Sequence, residues 1–199
     1  MRRMSLVKVY LAGKIEQNDW RHSIFTDLRS GNSKFFDSKM SVVDGLTYNG
    51  PFFISCDHGC FHGEGNHGVG IISEGCGTGN FAEDGEEPNR RFKRHDVINK
   101  CTNWIKNSDV VFVWLSKRDA YGTIAEIGIA NTLSKPIFIG ISNQLEKPDD
   151  MWFAINLANY YCFEESPIEA WKKFVSLKSK LMQNKYLIDD HKNAKGYQM

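Results

Sequence analysis

Six consecutive apolar residues, Val110-Val111-Phe112-Val113-Trp114-Leu115, leave water no side from which to approach this stretch of chain. A strand with one wet face alternates apolar and polar residues, so an unbroken run predicts a strand covered on both faces. That is the place of a central strand in a parallel sheet. The run belongs to a longer segment, Ser108 to Gly140, that reads as strand, loop, helix (Thr123 to Leu133) and strand (Pro136 to Ile141). Alternation of this kind predicts right-handed crossovers and a parallel sheet with helices on its faces.

The flanking sequence extends the same pattern. Leu6 to Leu11 is a β-rich run that ends in Ala12-Gly13, and Gly13 can turn sharply or admit a ligand beside the backbone. Asp19 can cap a helix carrying Trp20, Ile24, Phe25 and Leu28 on one face. Most of the 17 glycines fall between Gly31 and Gly85, which predicts a Gly-rich loop insertion around residues 44–89. One piece of this region must supply the second strand, and Phe52 to Ser55 is the expected one. Arg90 to Lys106 and Asp150 to Leu157 read as helices and Tyr160 to Phe163 as a strand, and Ser166-Pro167 open a last helix running to about Leu181. The expected fold is α/β: residues 1–199 form a single-domain Rossmann-like (flavodoxin-like) three-layer sandwich with a mostly parallel five-stranded sheet.

Charge narrows the partners. Lys and Arg total 25 against 24 Asp and Glu, so no global field gathers polynucleotide or anionic membrane. The run after the two N-terminal arginines is interrupted by Lys8 and is too short for a membrane span or a secretion signal. Five cysteines, an odd set, fit a reducing compartment, so a cytoplasmic location is expected. No G-x-G-x-x-G follows the first strand, which argues against a dehydrogenase, and no cofactor is expected.

Open parallel sheets bind ligands at the carboxyl ends of their strands, and the loop after Leu115 lies there. Glu126 follows Gly122-Thr123 in that loop-to-helix turn and has two readings. In one, Thr123 is the N-cap and Glu126 closes a capping box. In the other, a carboxylate kept anionic by the helix start serves as a nucleophile or charge stabiliser. Asp119 can approach the same cleft, Asp109 is expected to be structural, and Asp96 reads first as a helix-start acid. The insertion holds Cys56, Asp57, His58, Cys60, His62 and His67, whose spacing matches no standard closed zinc site. A polar loop lining a ligand pocket is the favoured reading, with Asp57 and His58 as contacts. Arg90, in a basic cluster before a helix, is either a solvated cation or a partner for a substrate phosphate.

The order YLAG (Tyr10 to Gly13), SDVVFVWL (Ser108 to Leu115), GTIAEIGIA (Gly122 to Ala130) and KPIFI (Lys135 to Ile139) resembles the nucleoside 2-deoxyribosyltransferase-like family. The resemblance implies that Glu126 attacks the anomeric carbon and displaces the base, and that Tyr10 stands beside it. Asp119 would orient the sugar hydroxyls. Gly13, Gly122 and Thr123 are matching substrate-site positions. Where that family carries a further acid, this chain has Cys101, so the proton donor is sought in Asp96 or in Asp57 or His58. The resemblance also implies a homo-oligomer. The expected function is cleavage or transfer at the N-glycosidic bond of a nucleoside, nucleotide or NAD-like dinucleotide, with a catalytically silent nucleotide-binding sensor as the alternative.

Overall fold

The computed structural model describes residues 6–15, 19–29, 41–51 and 94–183. They form a six-stranded mixed sheet, mostly parallel, in the order β2-β3-β1-β4-β5-β6. The strands are β1 (Val7–Gly13), β2 (Val42–Val43), β3 (Leu46–Tyr48), β4 (Val110–Leu115), β5 (Ile137–Ser142) and β6 (Tyr160–Glu164). The helices are α1 (Arg21–Ile24), α2 (Arg94–Lys106), α3 (Tyr121–Thr132), α4 (Trp152–Ile155) and α5 (Pro167–Gln183).

β4 pairs in parallel with β1 on one side and β5 on the other, and all six of its residues are buried. Strand geometry sends alternate side chains to opposite faces. Val111, Val113 and Leu115 join Tyr10, Ala12, Ile137 and Ile139 against α2, α3 and α4. Val110, Phe112 and Trp114 join Val9, Leu11 and Phe138 against α1 and α5. Phe112 is the hub of the second layer, with ring centroids 5.7 Å from Phe138, 5.3 Å from Trp171 and 5.4 Å from Phe174. This is the three-layer arrangement that the unbroken apolar run predicts.

The strand count differs from the expectation of five. The sixth strand is β2, an antiparallel edge paired with β3. The strand beside β1 is Leu46–Tyr48 rather than Phe52 to Ser55, and residues 52–55 lie outside the described residues. The start of the expected loop insertion is therefore part of the sheet. Asp44 and Gly45, the two residues between β2 and β3, have φ of 53° and 74°, the left-handed pair that an Asp-Gly hairpin turn favours. The Asp44 carboxylate then accepts a hydrogen bond from Trp171 Nε1 at 2.8 Å, tying the turn to α5.

The sheet's order reverses beside β1: the chain moves to β3 on one side and later to β4 on the other. Two such directions leave a crevice at the carboxyl ends of β1 and β4. Among the described residues, no helix is long and apolar enough to cross a membrane.

Close packing of α5 on the sheet depends on Gly140, since a Cβ there would lie 2.6 Å from the Ala170 Cβ and 3.0 Å from the Trp114 ring. Gly140→Ala is expected to lower stability by about 1–3 kcal/mol through overpacking. Urea unfolding checks this, and an unchanged midpoint would mean that α5 has room to retreat.

Candidate functional site

Tyr10 in β1 points its hydroxyl toward α3, where it donates a hydrogen bond of 2.5 Å to Glu126 Oε1. Cys101 on α2 joins them, its thiol hydrogen-bonded to the same carboxylate. Three elements thus converge on one carboxyl group, whose residue as a whole is half-buried. Burial raises all three groups: Tyr10 well above the usual phenol range, the Cys101 thiol up to about 12, and Glu126 above the ordinary carboxylate value. For Glu126, the hydrogen bond from Tyr10, the Arg21 charge and the hydrogen bond from Cys101 act in the opposite direction.

The capping-box reading of Glu126 does not hold. The helix starts at Tyr121, with Ala120 as the N-cap and no side-chain cap hydrogen bond, so Thr123 is a buried third residue. Glu126 falls in the second turn, beyond the first-turn N–H groups that would stabilise an anion. Its environment comes from β1 and α2 instead. A Cβ at Gly122 would meet nothing within 4 Å, so this exposed helix start is open.

Asp119 is exposed and paired with Lys14, the residue after β1, across the mouth of the crevice. The Lys14 hydrogen bond is the largest cause of a lowered Asp119 pKa. Asp109 accepts a hydrogen bond from the Lys8 amide at 2.8 Å, a bond between neighbouring strands, as its structural reading requires. Asp96 lies in α2 five positions before Cys101, about 7.5 Å along the helix axis. The Asp96 side chain, and Asp57, His58 and Arg90 with the Cys- and His-bearing segment, lie outside the described residues.

The sequence reading missed two features. The first is Arg21, fully buried, whose guanidinium binds Asp19 at 2.9 and 3.0 Å and donates to the carbonyls of Leu11 and Gly13 at 2.8 Å each. It fixes the end of β1. No periodicity marks an arginine as buried; the local signal was only an acid two residues away.

The second is the lining of the cleft expected at the carboxyl ends of the strands, an open space of about 450 Å³ at the ends of β4 and β5. Trp20 and Trp114 line it, with Ser116, Lys117 and Arg118 on one loop and Ser142, Gln144, Leu145 and Glu146 after β5. Gly13 serves this arrangement: a Cβ there would fall 2.8 Å from the Trp20 ring and 3.0 Å from the Trp114 carbonyl. The expected ligand-facing side of Gly13 is thus taken up by Trp20. Glu126 is not among the lining residues; it lies in α3, the helix that the Ser116–Asp119 loop leads into.

No family model and no curated protein matches the chain. Among solved structures, the Clostridium botulinum CMP N-glycosidase BcmB is similar over 42% of this chain and 69% of its own, with 18% identity and a TM-score of 0.36. At that TM-score the likeness decides neither fold nor activity.

The raised pKa of Glu126 has a consequence for stability. Its carboxyl is easier to ionise in the unfolded chain, so the penalty is absent below the ordinary carboxylate range and complete above the folded value. Glu126→Gln, which keeps an acceptor for Tyr10 without the charge, is expected to raise Tm at pH 7 by a few degrees. Thermal unfolding as a function of pH should make that gain shrink toward zero as pH falls through this window.

Proposed function

We propose that this chain cleaves or transfers at the N-glycosidic bond of a nucleoside, nucleotide or NAD-like dinucleotide, with Glu126 as nucleophile. The observation that carries the reading is the hydrogen bond from Tyr10 to Glu126 Oε1. That bond orients the carboxylate between β1 and α3, which supports nucleophilic use of the group. The sequence resemblance, with Glu126 and Tyr10 at matching positions, supports the same roles.

In the proposed reaction a Glu126 oxygen bonds to the anomeric carbon while the carbon–nitrogen bond breaks. The electron pair of that bond goes to the base nitrogen, which takes a proton unless the base was cationic. Asp96 suits the donor's role, since α2 runs opposite to the strands and carries this residue nearer their carboxyl ends than Cys101. Water or a second base then attacks the same carbon and gives up a proton to the group that donated one in the first step, the ester bond to Glu126 breaks, and the carboxylate returns. Tyr10 stabilises that departing carboxylate. Asp119, kept ionised by Lys14, is assigned to the sugar hydroxyls. The cytoplasm and a homo-oligomeric state complete the proposal, with no cofactor.

A second reading, a silent nucleotide binder, is favoured by one observation: the cleft's lining does not include Glu126. Chromatography of nucleosides, nucleotides and NAD incubated with the protein, with and without free base, separates the two. Base release or exchange is expected, reduced at least about a thousandfold in Glu126→Gln. Retained turnover in that variant would reject the nucleophile, and absence of product across the panel would leave the binder.

Tyr10→Phe removes a group that holds the Glu126 pKa down. The acid limb of its kcat/KM profile should therefore move to higher pH, with activity at neutral pH down about 10- to 100-fold. A limb that stays in place would mean that another group sets it.

A further inference from the structure

Strand β1 runs further than its neighbour β3, and the difference leaves two buried carbonyls without a strand to bond. β3 ends at Tyr48, opposite Val9. The ladder continues for two bonds, from the Asn49 amide to the Val9 carbonyl at 2.9 Å and from the Leu11 amide to the Gly50 carbonyl at 3.0 Å. The next donor would come from residue 51, which is a proline and has no N–H. Alternation along a strand puts the carbonyls of Leu11 and Gly13 on the same side as that of Val9. Both therefore need another partner.

Arg21 supplies it. Its Nε donates to the Leu11 carbonyl and its Nη2 to the Gly13 carbonyl, each at 2.8 Å, so one edge of the planar fork spans both. Nη1 is left for Asp19, 3.0 and 2.9 Å from its two oxygens, and Asp19 Oδ1 also accepts from the Arg21 amide at 3.0 Å. The arginine is fully buried and reaches no ligand itself. What it holds is the strand that carries Tyr10, the donor to Glu126 Oε1. Its charge favours the Glu126 anion, as do Tyr10 from β1 and Cys101 from α2, against burial. Buried ion pairs contribute little net stability relative to apolar groups of similar volume, so the placement of this one is the informative fact.

We propose that Arg21 is a positioning residue of the Glu126 site: its guanidinium stands in for the strand that β1 lacks beyond Gly50, sets through β1 where Tyr10 holds the carboxylate, and directs its charge at that carboxylate. The inference rests on the nucleophilic reading of Glu126 for its place in a reaction, and part of its test needs no turnover.

Two conservative variants separate span from charge. Arg21→Lys keeps the charge but has a single nitrogen, which cannot bridge two carbonyls. Its kcat for base release is expected to fall about a hundredfold, with KM within about twofold of the parent value. Asp19→Asn keeps the span and removes the counter-charge, so Glu126 ionises more readily. The acid limb of kcat/KM should then move to lower pH, opposite to its movement in Tyr10→Phe, and the gain in Tm from Glu126→Gln at pH 7 should shrink by about half. A merely structural arginine would lower Tm in both variants while leaving the limb and the Glu126→Gln gain in place. That result would overturn the assignment, as would an unchanged kcat in Arg21→Lys. A smaller Glu126→Gln gain without base release from any N-glycoside would count against the proposed reaction and leave the hold of Arg21 on Glu126 standing. Base release with an unchanged gain would do the reverse.

Discussion

β4 has no wet side, and both layers of helices exist to cover it. Val111, Val113 and Leu115 require one layer, and Val110, Phe112 and Trp114 require the other. Burial of apolar surface is non-directional, so this alone would tolerate many packings. Parallel pairing on both edges fixes the choice, because each parallel neighbour needs a crossover helix that returns over one face. The crossovers leave the loop after β4 at the crevice, where Asp119 meets Lys14 and where α3 begins.

Within that frame, the chemistry of the site is set by a conflict between burial and charge. Glu126 has protein around its carboxyl head, which favours the neutral acid, yet Tyr10, Arg21 and Cys101 all favour the anion. Arg21 does two jobs in this balance. Its contacts with Leu11 and Gly13 hold the end of β1, the strand that carries Tyr10, and its charge acts on Glu126. The cost of burying a guanidinium is offset by Asp19 and by hydrogen bonds to both carbonyls. Trp20, over Arg21 and against Gly13, carries the same clamp to the wall of the cleft.

Much of the architecture was legible because it depends on local patterns. β1, β4, β5, β6, α3 and α5 appear where apolar runs and capping residues put them, to within a few residues. The second strand was misjudged because three residues, Leu46 to Tyr48, are too few to display a period, and they sit among glycines. The Asp44-Gly45 turn was the readable sign of that hairpin. The start of α3 was misjudged because Thr123 and Glu126 satisfy a capping pattern that local sequence cannot distinguish from a buried Thr123 and a Glu126 engaged by other elements.

Sequence by itself determined that β4 must be central, that the sheet must be mostly parallel, and that the Ser116–Asp119 loop must lie at the carboxyl ends of the strands, since periodicity and chain direction are local properties. Only the tertiary structure decided that Glu126 faces Tyr10 and Cys101 rather than its own helix start, that Arg21 is buried, and that Trp20 closes over Gly13. Those facts depend on side chains from elements as far apart in the chain as β1 and α3, and contacts between such distant residues leave no mark in the local pattern of either.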